Sequence, residues 1–545
     1  MSSPVVSVRD LRVEFPGVVA VERLSFDLQP GAALGIVGES GSGKTATALA
    51  LLGLHRGTSA TVSGEIDVAD VPVLSAPIED IRKLRGSKIS MIFQDPLSAF
   101  DPFFSVGNQI GEVFRLHTGA SRRAARERAV AMLDRVRIPD AARRVDAYPH
   151  ELSGGMRQRA LIAMALACGP SVLVADEPTT ALDVTVQAQI LDLLDELRTD
   201  LGMALVLVTH DLGVVAGSVD EVLVMASGLA VERGPVSSVL SRPVEPYTRR
   251  LLAAVPRVDV PRAVVASGGE PVLSAVDVHR SFPSPRRLLG RGAPVRAVAG
   301  VSLDVRRGET LGVVGESGSG KTTLARMLVG LLRPSSGQVL LDGTDLASLS
   351  GAALRSRRRT VQMVFQDPAS SLNPRRTVGD AIAEPLRVTG VSARAAAEQV
   401  RSLLHRVGLD PTRSEAYPHE FSGGQRQRVG LARALAASPS VLVCDEPVSS
   451  LDVTTQAQVL ELLEELRAEF SLSVVFVSHD LAVVRQVSDR IAVMQRGVVV
   501  ELGPSDAVYS APADAYTREL LNAVPVLDPT LARQRRTERR LANVR

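Results

Sequence analysis

The sequence predicts an α/β fold laid out twice along 545 residues, on three observations. Short apolar runs, such as 33–37, 171–175 and 204–208, alternate with longer periodic stretches such as 186–197. That alternation is the pattern of strands feeding helices into a largely parallel sheet. A Gly-x-x-x-x-Gly-Lys-Thr string follows an apolar run and opens a helical stretch at two places. Finally, a series of short strings recurs in unchanged order, which marks a duplicated domain rather than a solenoid repeat.

Taken along the chain, the recurrence begins with Gly38-Glu39-Ser40-Gly41-Ser42-Gly43-Lys44-Thr45. It returns as Gly315-Glu316-Ser317-Gly318-Ser319-Gly320-Lys321-Thr322. Phe93-Gln94-Asp95-Pro96 returns as Phe365-Gln366-Asp367-Pro368, and Tyr148-Pro149-His150-Glu151 as Tyr417-Pro418-His419-Glu420. Asp176-Glu177-Pro178 returns as Asp445-Glu446-Pro447, and His210-Asp211-Leu212 as His479-Asp480-Leu481. A proline-bearing stretch with a Ser-Gly-Gly run, 256–271, reads as the joint. It places a first domain at 4–256, a linker at 257–271, a second domain at 272–526 and a basic tail at 527–545. The arginine-rich tail is expected to be a solvated end.

Composition bounds the function. Hydrophobic residues make up 45% and charged residues 22%, as in ordinary globular chains, and the net charge is only +2. No global drive toward nucleic acid or anionic lipid follows from that. Positive charge is carried almost wholly by arginine: the lysines are Lys44, Lys83, Lys88 and Lys321, and two of them sit in the recurring glycine-rich string. Cys168 and Cys444 are isolated and lie in apolar surroundings, so they cannot form a metal or iron–sulfur ligand set. They are expected to be buried core thiols in a reducing compartment. Met1-Ser2-Ser3-Pro4 has neither the basic nor the apolar region of a signal peptide. No apolar run reaches the ~18 residues of a membrane helix, so any membrane role is expected to come through a partner.

The glycines of 38–45 and 315–322 let backbone N–H groups curl around phosphate oxygens. Lys44 and Lys321 are placed to reach β- and γ-phosphates, and the hydroxyls of Thr45 and Thr322 to ligate magnesium at a helix start. Asp176-Glu177 and Asp445-Glu446 each end an apolar run beside this loop. There the aspartate can hold magnesium through water, and the glutamate can polarise an attacking water. Ser153-Gly154-Gly155 and Ser422-Gly423-Gly424 each open a helical run, 156–166 and 425–435. Such a start is either an ordinary N-cap or a second anion cradle.

Leu152-Ser153-Gly154-Gly155-Met156 and Phe421-Ser422-Gly423-Gly424-Gln425 resemble the signature motifs of ABC ATPases. Gln94 and Gln366 are similar to that family's Q-loop, Ala181-Leu182-Asp183 and Ser450-Leu451-Asp452 to its D-loop, and His210 and His479 to its switch histidine. The resemblance implies two tandem P-loop NTPase domains. Each would have a mainly parallel sheet core, an antiparallel β part and a helical signature subdomain. It implies ATP and Mg2+ as cofactors, with Thr45, Gln94 and Asp176 around one metal ion and Thr322, Gln366 and Asp445 around the other. Glu177, Glu446, His210 and His479 would be catalytic. The domains would close head-to-tail over two ATP molecules, the first site completed by Ser422 and Gly424 and the second by Ser153 and Gly155. Phe15 and Phe282, near each domain start, are candidates to stack on adenine, with plain packing as the alternative.

A narrower resemblance lies in Phe365-Gln366-Asp367-Pro368, Ser371-Leu372-Asn373-Pro374, Thr377-Val378-Gly379 and Tyr417-Pro418-His419-Glu420. With Tyr247-Thr248-Arg249-Arg250-Leu251-Leu252 and Tyr516-Thr517-Arg518-Glu519-Leu520-Leu521, these are similar to the peptide/nickel importer ATPases. The first half resembles that group's D-type subunit and the second its F-type, as in fused dipeptide, glutathione or microcin importer ATPases. The resemblance implies a motor for import of di- or oligopeptides or a related small solute. It would work with two integral-membrane permeases and a solute-binding protein, peripherally at the cytoplasmic face of the membrane, with no nucleic acid involved.

Four departures stand out. The cysteine cluster of many D-type subunits is missing, so no iron–sulfur cluster is expected. Ala46 stands where the second repeat has Thr323, and Phe100-Asp101-Pro102 replaces Leu372-Asn373-Pro374. A loop from Pro283 to Arg296, with Arg286, Arg287, Arg291 and Arg296, has no counterpart in the first half; it is either a contact to a partner or to lipid headgroups, or a solvated insertion. Two other function classes would carry different marks. A tandem protein acting on ribosomes or in DNA repair would carry a long charged helical linker or zinc-binding cysteines. A nucleotide-binding scaffold would have lost its glutamates or histidines.

Overall fold

The computed structural model describes residues 3–180, 182–260, 269–283, 286–287, 290–291, 294–367, 371–449 and 451–543. Ala181 and Ser450 of the D-loop strings, Pro368, most of the joint and parts of the arginine-bearing loop lie outside the described residues. The chain divides into two compact units. The first comprises Met1–Leu182, Val186–Val255 and Pro525–Arg545, the second Asp183–Thr185 and Pro256–Val524.

In the first unit, Val18–Leu28, Val6–Phe15, Thr61–Val68 and Val71–Pro72 form an antiparallel sheet in that order. A second sheet runs Leu229–Pro235, Glu221–Ala226, Ala33–Val37, Ala204–Thr209, Val172–Asp176, Ile89–Ile92. It is parallel except where Leu229–Pro235 joins antiparallel. The central strands Ala33–Val37, Val172–Asp176 and Ala204–Thr209 are buried at every position. Both their faces are covered, which is why they read as continuous apolar runs rather than alternating ones. One core cluster, including Val8, Phe26, Ile36, Leu51, Val174 and Val206, joins the two sheets. Between the strands Ile89–Ile92 and Val172–Asp176 lies a helical part with Val106–Thr118, Arg122–Arg135 and Gly154–Ala165.

The second unit repeats this. Its antiparallel sheet runs Val295–Arg306, Pro271–Phe282, Ser336–Leu341, Thr344–Asp345, and its mainly parallel sheet runs Val361–Val364, Val441–Asp445, Ser473–Ser478, Thr310–Val314, Arg490–Gln495, Val498–Pro504. The helical part holds Val378–Val388, Ala393–Arg406 and Gly423–Leu435. Within the arginine-bearing loop, the backbone of Arg286–Arg287 pairs with that of Gly290–Arg291.

Two expectations are corrected. The tail is no solvated end. Pro529–Asn543 is a helix within the first unit, and Arg536 on it is 9% exposed. Three of its five arginines, Arg536, Arg539 and Arg540, lie on one helical face, so they share one acidic partner surface. Cys444 is fully buried in its strand, but Cys168 is only half-buried. Among the described residues no helix is long and apolar enough to cross a membrane.

Candidate functional site

In each unit the chemistry-bearing residues sit at the C-terminal ends of adjacent parallel strands. In the first unit the strands Ala33–Val37, Ala204–Thr209, Val172–Asp176 and Ile89–Ile92 lie side by side. They lead, in that order, into the loop 38–45, His210, the Asp176-Glu177 pair and Gln94. Parallel strands release their loops on one edge, so residues far apart in sequence converge there.

The loop Gly38–Lys44 wraps the start of helix Lys44–Leu51. Lys44 Nζ donates to the carbonyls of Gly38 and Glu39 at 2.9 and 2.8 Å. Lys321 Nζ repeats this on Gly315 and Glu316 at 2.7 and 2.8 Å. Ser42 Oγ and Ser319 Oγ are buried with no hydrogen-bond partner among the described residues. A buried orphan hydroxyl beside a buried ammonium, at a helix start, is a donor set for phosphate oxygens.

Thr45 Oγ1 donates to Asp176 Oδ1 at 3.3 Å, and Thr322 Oγ1 to Asp445 Oδ1 at 3.1 Å. Burial, reinforced by the Glu177 charge, pushes the Asp176 carboxyl up to about 6, against the Thr45 hydrogen bond. Burial raises Asp445 likewise. A buried carboxylate kept from its charged form is one that a cation would relieve. Chain oxygens from Thr45 and Asp176, and from Thr322 and Asp445, therefore fit a hard divalent ion.

Glu177 is clasped from three sides. His210 Nδ1 lies 2.9 Å from Oε1, while Gln94 Nε2 and Thr180 Oγ1 donate to Oε2 at 2.8 and 2.9 Å. Burial alone would raise its carboxyl, but His210, Thr180 and the Lys44 charge hold it down at about 2. Conversely, burial works against a charge on His210, yet the Glu177 hydrogen bond and charge leave its imidazole raised. In the second unit His479 Nδ1 lies 3.1 Å from Glu446 Oε1, and Gln366 Nε2 donates to Oε2 at 2.8 Å. Glu177 and Glu446 also adopt φ of +48° and +47°. Non-glycine residues rarely occupy that region, and it marks sites where surrounding structure over-determines the backbone. Gln94 and Gln366, expected around the metal ion, have their amides on these glutamates.

The ABC transporter profile matches residues 21–180 and 298–449, and the profile of the oligopeptide/dipeptide transporter C-terminal region matches 231–277 and 500–545. The chain is 46% identical to the glutathione import ATP-binding protein GsiA of Escherichia coli O6:H1, covering 98% of this chain and 91% of that one. This chain belongs to the ABC transporter ATPases of the peptide/nickel importer family. The namesake protein of Pectobacterium atrosepticum is 47% identical, over 96% of this chain and 90% of its own. As an ABC transport ATPase, the chain binds and hydrolyses ATP.

The rest of the ABC motif set has a local physical reading. Ser153 caps the helix Gly154–Ala165 by accepting from Met156 N at 3.4 Å. Ser422 caps its counterpart from Gln425 N at 3.3 Å, and the Gln425 side chain accepts Ser422 N–H at 3.0 Å. A Cβ on Gly155 would sit 2.7 Å from Val186, and one on Gly424 2.3 Å from Thr455. The second glycine of each signature is therefore required by helix packing, independently of any anion. Gly154 and Gly423, with ordinary van der Waals room, are exposed. Phe15 is half-buried, edge-on to His55 at 5.6 Å, and Phe282 lies under the Arg280 guanidinium at 5.0 Å.

Several contacts were missed from sequence. Thr180 is one, three residues past the glutamate. Tyr247 and Tyr516 are others: their hydroxyls accept the backbone N–H of Glu39 and Glu316, at 3.3 and 3.1 Å. The recurring Tyr-Thr-Arg string was visible, but nothing local said that it would reach a phosphate loop some 200 residues away in sequence. Arg326, which lines a cleft of about 390 Å³ with Gln366 and Asp445, has Leu49 as its counterpart and no motif to flag it.

Proposed function

We propose that this chain is the energising subunit of an importer for glutathione-like, di- or oligopeptide solutes. In this reading it works peripherally at the cytoplasmic face, with two integral-membrane permeases and a solute-binding protein. The observation that carries the reading is the twofold occurrence of one intact cluster, Lys–Thr–Asp–Glu–Gln–His, in a chain that also has both peptide-transporter C-terminal regions. Lys44 and Lys321, with Ser42 and Ser319, bind the phosphates. Glu177 and Glu446 orient the attacking water, and His210 and His479 hold the γ-phosphate side. Magnesium, held by Thr45 and Asp176 and by Thr322 and Asp445, would supply neutralisation of phosphate charge.

Permeases dock, in this reading, around 94–107 and 366–379. The two surfaces differ. Phe103 and Phe104 are 83% and 55% exposed, whereas the corresponding Arg375 and Arg376 present charge, Arg376 lying 3.6 Å from Glu384. An exposed aromatic pair favours an apolar cytoplasmic helix, and the arginine pair an acidic one. The chain should co-purify with two different permeases from membranes, and Phe103→Arg/Phe104→Arg should release it from one of them while ATP turnover in solution stays. Recovery on ribosomes with no membrane pool would overturn the importer reading.

The sites are also expected to differ in affinity. Ala46 sits in the helix Lys44–Leu51, packed against the core, where Thr323 offers a hydroxyl in the second unit. A hydrogen bond to a charged group is worth roughly 1.5–3 kcal/mol, so the first site should bind nucleotide at least several-fold more weakly. Ala46→Thr should close that gap in nucleotide titrations of single-site variants. Equal affinities before the substitution would remove the idea.

A further inference from the structure

The C-terminal helix Pro529–Asn543 belongs to the first unit, and its docking is built rather than incidental. Arg536 Nε donates to Asp192 Oδ1 at 3.0 Å and its Nη2 to Ser218 Oγ at 3.0 Å, both bonds buried. Arg539 donates to both Asp192 oxygens at 2.9 Å, and Arg540 to Asp195 Oδ2 at 3.0 Å. Asp192 and Asp195 lie on the helix Val184–Leu201, and Ser218 ends the helix Leu212–Ser218. That second helix starts two residues after His210 and is capped by Asp211. The same arginine therefore bridges two helices, one of which carries the switch histidine at its head.

Small residues complete the seat. A Cβ on Gly213 would meet Pro525 at 2.9 Å, and one on Gly217 would meet Ala532 at 3.1 Å. The duplicated positions in the second unit are not built this way. Ala482, Gln486 and Val487 stand for Gly213, Gly217 and Ser218, and Glu461 and Glu464 for the shorter aspartates. There Arg485 instead lies over Tyr509 at 4.7 Å and donates to the Val260 carbonyl at 3.1 Å. The seat in the first unit matches this arginine-rich face, and the second unit does not repeat it.

We propose that Arg536 is a positioning residue for ATP hydrolysis at the first site: through Ser218 and Asp192 the C-terminal helix fixes the helix that aims His210. This rests on the proposed role of His210. It fits the geometry that His210 reaches Glu177 from the N-terminal end of a helix of only seven residues. So short a helix has little intrinsic stability and takes its orientation from what packs on it.

The test uses the full chain with Arg536→Gln, Arg536→Lys and, as an independent wedge, Ala532→Leu against Gly217. Hydrogen exchange should quicken across 209–218 in Arg536→Gln and Ala532→Leu, but not across the matching 478–487. In a Glu446→Gln background, which isolates the first site, steady-state kcat should fall about three- to tenfold with KM for ATP nearly unchanged, and Arg536→Lys should recover most of it. Unchanged exchange at 209–218, equal changes in both repeats, or an unchanged kcat would overturn the proposal. His210→Ala is the separate control. If it turns over ATP normally, the role of His210 fails and the positioning role with it, while exchange still shows whether the helix is held.

Discussion

Glu177→Gln and Glu446→Gln should each depress ATP turnover sharply while leaving ATP binding intact. The substitution keeps the shape of a side chain whose oxygens are held by His210, Gln94 and Thr180, or by His479 and Gln366. What it removes is charge. The glutamate stays ionised down to about 2 at the first site, so at neutral pH it always offers a carboxylate to an attacking water. A general base of this kind typically contributes about 10²–10⁴-fold in rate. Because the cluster is whole in both units, each single variant should lose a substantial part of turnover, and the double variant should bind ATP without hydrolysing it. Full turnover in one single variant and none in the other would sink the claim of two competent sites.

Gly43→Ala and Gly320→Ala should cost more than their size suggests, and in a different observable. These residues sit at φ of +99° and +103°, and an added Cβ would lie 2.2 Å from the Ala20 carbonyl oxygen and 2.1 Å from that of Ala297. Backbone cannot move aside as a flexible side chain can, so the phosphate loop must part from the antiparallel sheet. Nucleotide affinity at the altered site should fall at least about tenfold, given that a strained backbone position alone costs on the order of 1–3 kcal/mol. Gly41→Ala is the matched control. It too has positive φ, +79°, but open space around the new methyl. It should show only the backbone term of about 1–2 kcal/mol. Equal losses at Gly41 and Gly43 in a nucleotide titration would mean that contact with the Ala20 carbonyl does not matter.

Much of the molecule is legible in the chain by itself. The duplication, the parallel-sheet class and the phosphate loops follow from strings whose meaning is local. A glycine-rich turn between a buried strand and a helix has few other uses. The strands read at 33–37, 171–175 and 204–208 stand at Ala33–Val37, Val172–Asp176 and Ala204–Thr209. The helix read at 186–197 extends to Val184–Leu201. Burial on both faces makes those strands continuous apolar runs, and their shortness tells them from helices.

What the tertiary structure alone decided are pairings between residues far apart in sequence. That Gln94 and His210 meet one glutamate follows from strand order, which periodicity does not encode. The left-handed backbone at Glu177 and Glu446 is invisible in a side chain's identity, since it is imposed by what surrounds the turn. The two tyrosine hydroxyls on the phosphate loops belong to the same class. The plainest case is the tail. As sequence, a run of arginines with little apolar content promises no core and reads as solvated. In the folded chain Asp192 and Asp195, some 340 residues earlier, turn one face of that run into a buried ion-pair seat, flanked by two glycines. Charge complementarity is a property of two surfaces brought together, and only the fold brings them together.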